Sequence, residues 1–224
     1  MFKTINTLEG KKIAIGTMYC LGQNYEDHIK EMKSGKQKEP VVFLKPPAAY
    51  VPNKENVILP SFSENIHHEV ELVLVVKQDV ECICPENALK CIGGIGVGID
   101  MTLRDIQKQA KEEGKPWAQA KGFRTSAPIS DLIDFNADID LENLDIMLMV
   151  NDDLRQKSNT ENMIMKVPEL ISYLSNIFSL RAGDVIFTGT PEGVGPVKNG
   201  DTIYAELSSK GKKLTSVEVY TSDV

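Results

Sequence analysis

The sequence predicts an α+β fold in which short, mainly antiparallel strands outnumber helices. Three observations carry that expectation. Short apolar runs recur along the chain, bounded by Gly, Pro, Asn or Asp. The polar stretch Asn151-Asp152-Asp153 joins two such runs in the manner of a β-hairpin. Only three segments combine helical spacing with start and stop signals. No repeat, low-complexity tract or linker divides the 224 residues, a length that suits one domain over 1–224 with a sizeable core.

In chain order, residues 12–16 and 41–44 read as strands, with NYEDHIKEMKSG between them as a short helix. Asn24 is its expected N-cap, with Asp27 three residues later and Gly35 as its stop. Residues 69–76 and the glycine-rich 93–100 are the next strands. Thr102 and Asp105 are expected to cap a helix to about residue 113, ended by Gly114. Residues 146–150 and 154–157 form the hairpin. Pro168 opens a helix to about 178, with Leu170, Ile171, Leu174, Ile177 and Phe178 on one face. The last third, GDVIFTGTPEGVGPVKNGDTIYAEL, reads as strand, glycine loop, turn and strand.

Composition narrows the function classes. Hydrophobic residues make up 42% and charged residues 25%, as in ordinary globular chains. A net charge of −7 argues against nucleic acid or an anionic membrane as the main partner. No apolar run approaches the ~18 residues of a membrane span. The opening MFKTINTLEGKKIAIG lacks the apolar core of a signal peptide, which predicts a cytoplasmic protein. The four cysteines contain no C-x-x-C pair and read as reduced thiols, the alternative being a Cys/His zinc site with His67 or His68.

The stretch NIHHEVELVLVV, residues 65–76, holds a contradiction. Its Val/Leu run belongs in a buried sheet, yet Glu69 and Glu71 fall on the same strand face. Buried charges need partners or a metal. Cations on facing strands would answer for an isolated E-x-E. Asp100, ending an apolar strand just before a helix, offers a third carboxylate. Three such oxygens would select Mg²⁺, Mn²⁺ or Ca²⁺ over zinc.

The motifs GQNYEDH (22–28), FLKPP (43–47), HHEVEL (67–72), GIDMTLRDIQ (98–107), KGF (121–123) and TGTPEGVG (188–195) resemble the fumarylacetoacetate hydrolase family. The likeness is strongest to its small acylpyruvase and oxaloacetate decarboxylase branch, and runs from about residue 13 to 204. It implies a mixed β-roll, one catalytic domain, bound Mg²⁺ or Mn²⁺, a homodimer, and cleavage or decarboxylation of 2-oxo acids. By position it implies Glu69, Glu71 and Asp100 as metal ligands, His28 and Glu31 as an acid/base pair, and Lys121 over the substrate. His28 and Glu31 would be helix neighbours at i and i+3. Lys45, Arg104, Gln107 and Thr190 are the expected substrate-binding residues. His68 is expected to support the metal site without ligating it, and Trp117 to line the pocket or cover the core. Gln23 stands where many relatives carry Arg, which removes a bidentate carboxylate partner.

The expected activity is hydrolysis of a C–C bond in acylpyruvates, with oxaloacetate decarboxylation beside it. The alternatives are an isomerase or decarboxylase of ring-cleavage products such as 2-hydroxyhepta-2,4-diene-1,7-dioate, and a catalytically silent metal- or ligand-binding protein.

Overall fold

The computed structural model describes residues 3–31 and 39–224. Two sheets dominate it. The larger has six strands in the order Ile133–Asp134, Ile92–Ile99, Val70–Val76, Val185–Phe187, Met18–Gly22 and Val41–Lys45. Its neighbours are antiparallel except for Val185–Phe187 beside Met18–Gly22. The smaller runs Asp153–Asn159, Asp145–Val150, Thr202–Ser209, Lys212–Asp223 and Asn56–Leu59, with only the last pair parallel. The fold is α+β and mainly antiparallel, with short helices, as the sequence predicts.

Val70–Val76 is buried at every position because both its faces are covered. Leu72, Leu74 and Val76 share an apolar cluster with Ile146, Leu148, Ile203 and Val217 of the smaller sheet. Val73 and Val75 point the other way, toward Met18, Ile129 and Phe187. Period-two alternation therefore places Glu71 on the Val73 side. Across the ladder Glu71 faces Gly98, and the Asp100 N–H donates to the Glu69 carbonyl at 2.8 Å. One antiparallel register thus sets Glu69 against Asp100, while the glycine opposite Glu71 lets Val73 and Phe187 pack close against the strand.

The expected hairpin forms, with Asn151 and Asp152 at φ 50° and 67°, as a two-residue turn with both central residues left-handed requires. Gly114 ends the helix Arg104–Glu112 at φ 65°. Cys20 and Cys91 are buried, Cys82 and Cys84 exposed, and all four are free thiols.

Three local expectations are corrected. Asn24 does not cap the helix Glu26–Glu31. Its amide donates to the Met165 and Thr188 carbonyls and accepts from the Met165 N–H, pinning two distant loops instead. The Thr102/Asp105 capping box is absent because both side chains are engaged elsewhere. Thr102 accepts from Lys121 Nζ, and Asp105 accepts from Ser63 Oγ and the Glu64 N–H. In the helix Val167–Ile177, Ile177 is 54% exposed whereas Ser175 is buried. The loop at 82–83 explains this, since its N–H groups donate to the Ser175 carbonyl and Oγ. Gly35, the expected stop of the first helix, lies outside the described residues.

A Cβ at Gly98 would approach Val73 Cγ2 to 2.6 Å and Phe187 Cε1 to 2.7 Å. Gly98→Ala should therefore cost about 1–3 kcal/mol through overpacking of a tight sheet. Urea unfolding measures it, and an unchanged midpoint would contradict the close packing beside the carboxylates.

Candidate active site

The residues singled out from sequence converge. His28, Glu69, Glu71, Arg104, Gln107, Lys121 and Thr190 line one narrow pocket that opens to solvent, with Trp117 on its wall. Asp100 is fully buried beside it. One ligand-type oxygen from each of Glu69, Glu71 and Asp100 falls within 4.8 Å of the others, so the three could hold a metal ion. Among the described residues no other group of three His, Cys, Asp or Glu donors gathers in this way, which leaves the Cys/His zinc alternative without a site.

Countercharge surrounds the triad. Lys121 Nζ donates to Glu69 Oε2 at 2.8 Å, Asp100 Oδ2 at 2.6 Å and Thr102 Oγ1 at 2.7 Å. Arg104 grips the other Glu69 oxygen, and its Nη1 donates to Gln107 at 2.9 Å. Lys45 Nζ lies 2.8 Å from Asp100 Oδ1. Glu71 is the exception. Among the described residues it makes no ion pair and accepts one hydrogen bond, from the Gly189 N–H at 2.6 Å.

These surroundings set the protonation states. Burial pushes the Glu69 carboxyl up, but Arg104 and Lys121 outweigh it and hold the group well below the usual carboxylate range. Burial pushes Glu71 well above that range, and the Asp100 and Glu69 charges push it further. Burial alone would lower Lys121, yet Asp100 and Glu69 keep it raised and charged. Burial lowers His28 below its ordinary value, leaving a neutral imidazole at pH 7.

The expected acid/base pair is present as neighbours. His28 Nδ1 lies 3.5 Å from Glu31 Oε2, too long for a strong hydrogen bond. Both Glu31 oxygens instead accept from the Gly193 N–H at 3.1 Å. Lys45 departs from expectation. It is 0% exposed and lies under the pocket floor, its Nζ donating to Met101, Lys121 and Ser126 carbonyls and to Ser126 Oγ. A side chain so enclosed holds Asp100 and does not reach a substrate. The backbone N–H of the TGTPEG loop at Gly189 likewise serves the protein's own Glu71.

Gln156 was not foreseen. Its Oε1 accepts from the Val70 N–H and meets His68 Nδ1, each at 3.0 Å, while its Nε2 donates to Thr190 Oγ1 at 2.8 Å and the Pro191 carbonyl at 3.0 Å. One buried amide thus ties the glutamate strand to the Thr190 loop. Nothing in the stretch LRQKS signals it. Lys111, also unforeseen, had a signal: with Arg104 and Gln107 it repeats at i, i+3 and i+7.

The sequence profile of the fumarylacetoacetate (FAA) hydrolase C-terminal family matches residues 17–218. The chain belongs to the fumarylacetoacetate hydrolase family. It is 43% identical over 188 residues to the human oxaloacetate tautomerase FAHD1, mitochondrial, covering 84% of this chain and 85% of that one. With the Escherichia coli oxaloacetate tautomerase YcgM it shares 42% over 205 residues, 90% and 92% of the two chains. A crystal structure of fumarylpyruvate hydrolase from Pseudomonas aeruginosa in complex with Mn²⁺ and pyruvate superposes with a TM-score of 0.93 at 34% identity, covering 100% of this chain and 97% of that one.

The Glu71 environment yields a pH prediction. A carboxyl whose folded pKa is raised contributes stability below its unfolded value, here 4.5, and loses it as pH climbs toward the folded value. In chelator, Glu71→Gln should therefore gain melting temperature relative to the wild type as pH rises from 4.5 to 7. A constant gap across that range, measured by calorimetry, would contradict the assignment.

Proposed function

We propose that this protein is a divalent-cation-dependent enzyme that moves a proton at C3 of a 2-oxo acid of the oxaloacetate type, interconverting keto and enol forms. The observation that carries this reading is a neutral His28 lining the same pocket as a buried three-carboxylate cluster with a charged lysine seated in it. The tautomerase names of the human and Escherichia coli relatives support it.

Glu69, Glu71 and Asp100 would hold Mg²⁺ or Mn²⁺, because an all-oxygen donor set fits hard cations and the Pseudomonas relative was crystallised with Mn²⁺. Bound there, the cation supplies Lewis-acid polarisation of the 2-oxo group. Lys121 Nζ places a fixed positive charge where the C2 oxygen gains electron density. Gln107 and Thr190, both on the pocket wall, orient the C1 carboxylate. Arg104 holds Glu69 in place. His28 Nδ1 is buried toward Glu31, which leaves Nε2 to take the C3 proton and deliver it to the C2 oxygen as the enol forms, and to reverse both transfers on the way back to the keto form. Phe43 and Trp117, their rings 5.9 Å apart, limit water around the exchanging proton.

A second reading, hydrolysis of an acylpyruvate, is favoured by one observation, the adjacency of Glu31 to His28. That reaction needs a water activated by the pair, with the carbon chain cleaved after attack at the distal carbonyl. Keto–enol exchange needs no activated water and so, of this pair, only His28.

Two outcomes follow. Glu71→Ala should lose Mn²⁺ affinity and turnover together, and the wild type should gain about 2.7 kcal/mol of stability at a hundredfold excess of cation over its Kd. Full activity of Glu71→Ala in chelator would sink the metal assignment. His28→Asn should slow decay of the enol ultraviolet band of oxaloacetate by roughly 10²–10⁴-fold. Glu31→Gln should leave that rate within about tenfold while reducing pyruvate release from acetylpyruvate more. Equal losses in both assays would mean that Glu31 positions the substrate and that no water is activated.

A further inference from the structure

The pocket's cations are unequally committed. Lys121 and Arg104 are bound to the carboxylate cluster, and Lys45 is enclosed beneath it. Lys111 is different. It lines the same pocket, yet among the described residues it pairs with no carboxylate. Its Nζ rests 4.9 Å from the Trp117 ring centroid, a contact that steers a cation without neutralising it.

Its place on the helix Arg104–Glu112 is ordered. Arg104, Gln107 and Lys111 fall at i, i+3 and i+7, one face of two turns, spanning about 10 Å of axis. Helical side chains lean toward the N-terminus, so the long lysine stem returns toward Gln107 and the site. Lys111 as a whole is exposed, yet it lines the pocket with its Nζ beside the Trp117 ring. Burial there, with Arg104 and Lys121 nearby, lowers its pKa, which marks a region whose positive charge an anion would relieve. Gln23, on the same pocket, is neutral, and its buried Oε1 has no partner. Among the described residues that line the pocket, no other cation stands free of the carboxylate cluster.

We propose that Lys111 is the specificity-determining residue for the distal carboxylate, so that the preferred substrate is a short 2-oxo dicarboxylate over a 2-oxo acid with an uncharged far end. This rests on the 2-oxo acid reading above. The C1 carboxylate and 2-oxo group sit at the buried end, and the second carboxylate reaches the Lys111 ammonium. With Gln23 neutral, the discrimination among the described residues falls to Lys111.

The experiment compares wild type, Lys111→Gln and Lys111→Arg with oxaloacetate and acetylpyruvate, and follows thermal shifts with oxaloacetate and pyruvate in the presence of Mn²⁺. In Lys111→Gln the KM for oxaloacetate should rise about tenfold, as for one lost charge-assisted hydrogen bond, with the change falling on KM and not on kcat. The KM for acetylpyruvate should move less than twofold, and Lys111→Arg should recover most of the oxaloacetate loss. The thermal shift by oxaloacetate should shrink in Lys111→Gln while that by pyruvate does not. Equal KM changes for the two substrates, or none, would overturn the assignment of Lys111. A wild type that turns over neither substrate would overturn the reaction instead, and the oxaloacetate and pyruvate shifts would then still decide the role of Lys111.

Discussion

The strand register between Val70–Val76 and Ile92–Ile99 is the constraint on which the rest of the site depends. It sets Glu69 opposite Asp100 and Glu71 opposite Gly98, in a sheet covered on both faces. A slip of one residue in the glutamate strand would turn Glu69 and Glu71 into the opposite apolar cluster, away from Asp100. Three acidic groups held this way in low dielectric cannot all stay ionised without countercharge. Lys45, Lys121 and Arg104 supply it for two of them, and among the described residues Glu71 pairs with no cation.

That imbalance explains much of the surrounding architecture. Lys121 comes from the short helix Ala118–Lys121, whose backbone is tied to Lys45 through the Lys121 carbonyl. Ser126 accepts from Lys45 and donates to that same carbonyl. The helix Arg104–Glu112 begins two residues after Thr102, which itself accepts from Lys121. Each of these elements is short and of little intrinsic stability. They are held in place by the ion pairs they supply, so fold and site share the same interactions. Breaking one partner of such a buried pair strands the other, which is more costly than never having built it.

Legibility from sequence follows the same division. Strands that bury alternate residues declare themselves through period two, and the hairpin at Asn151-Asp152 through its turn chemistry. Residues on the shared register, Glu69, Glu71 and Asp100, were visible as acids where apolar residues belong. The capping assignments failed because Asn24, Thr102 and Asp105 are short polar side chains with several partners in reach, and tertiary partners outcompeted the local ones. Lys45 was legible as a lysine after a strand, but its direction was not. A lysine bonded to three carbonyls and a hydroxyl in the interior is a tertiary outcome with no local signature. Gln156 is the clearest case. All four hydrogen-bonding positions of its amide are engaged, yet in sequence it is one polar residue in a polar strand.

The arrangement around His28 bears on how one scaffold divides between reactions. Proton exchange at C3 asks for a neutral base with access to the substrate, and burial gives His28 that state without help from Glu31. Activating water asks for more, since the imidazole must also aim the attacking water at the distal carbonyl, for which a carboxylate hydrogen-bonded to its second nitrogen would orient it. Glu31 is close enough, but both its oxygens are engaged by the Gly193 N–H. Hydrolysis would therefore require the helix Glu26–Glu31 to exchange its contact with the glycine loop for a direct His28–Glu31 hydrogen bond. The proposed tautomerisation would leave that contact intact. The strength of one carboxylate-to-backbone contact, outside the cluster itself, would thus separate the two proposed chemistries, which would share the same three acids and the same lysine.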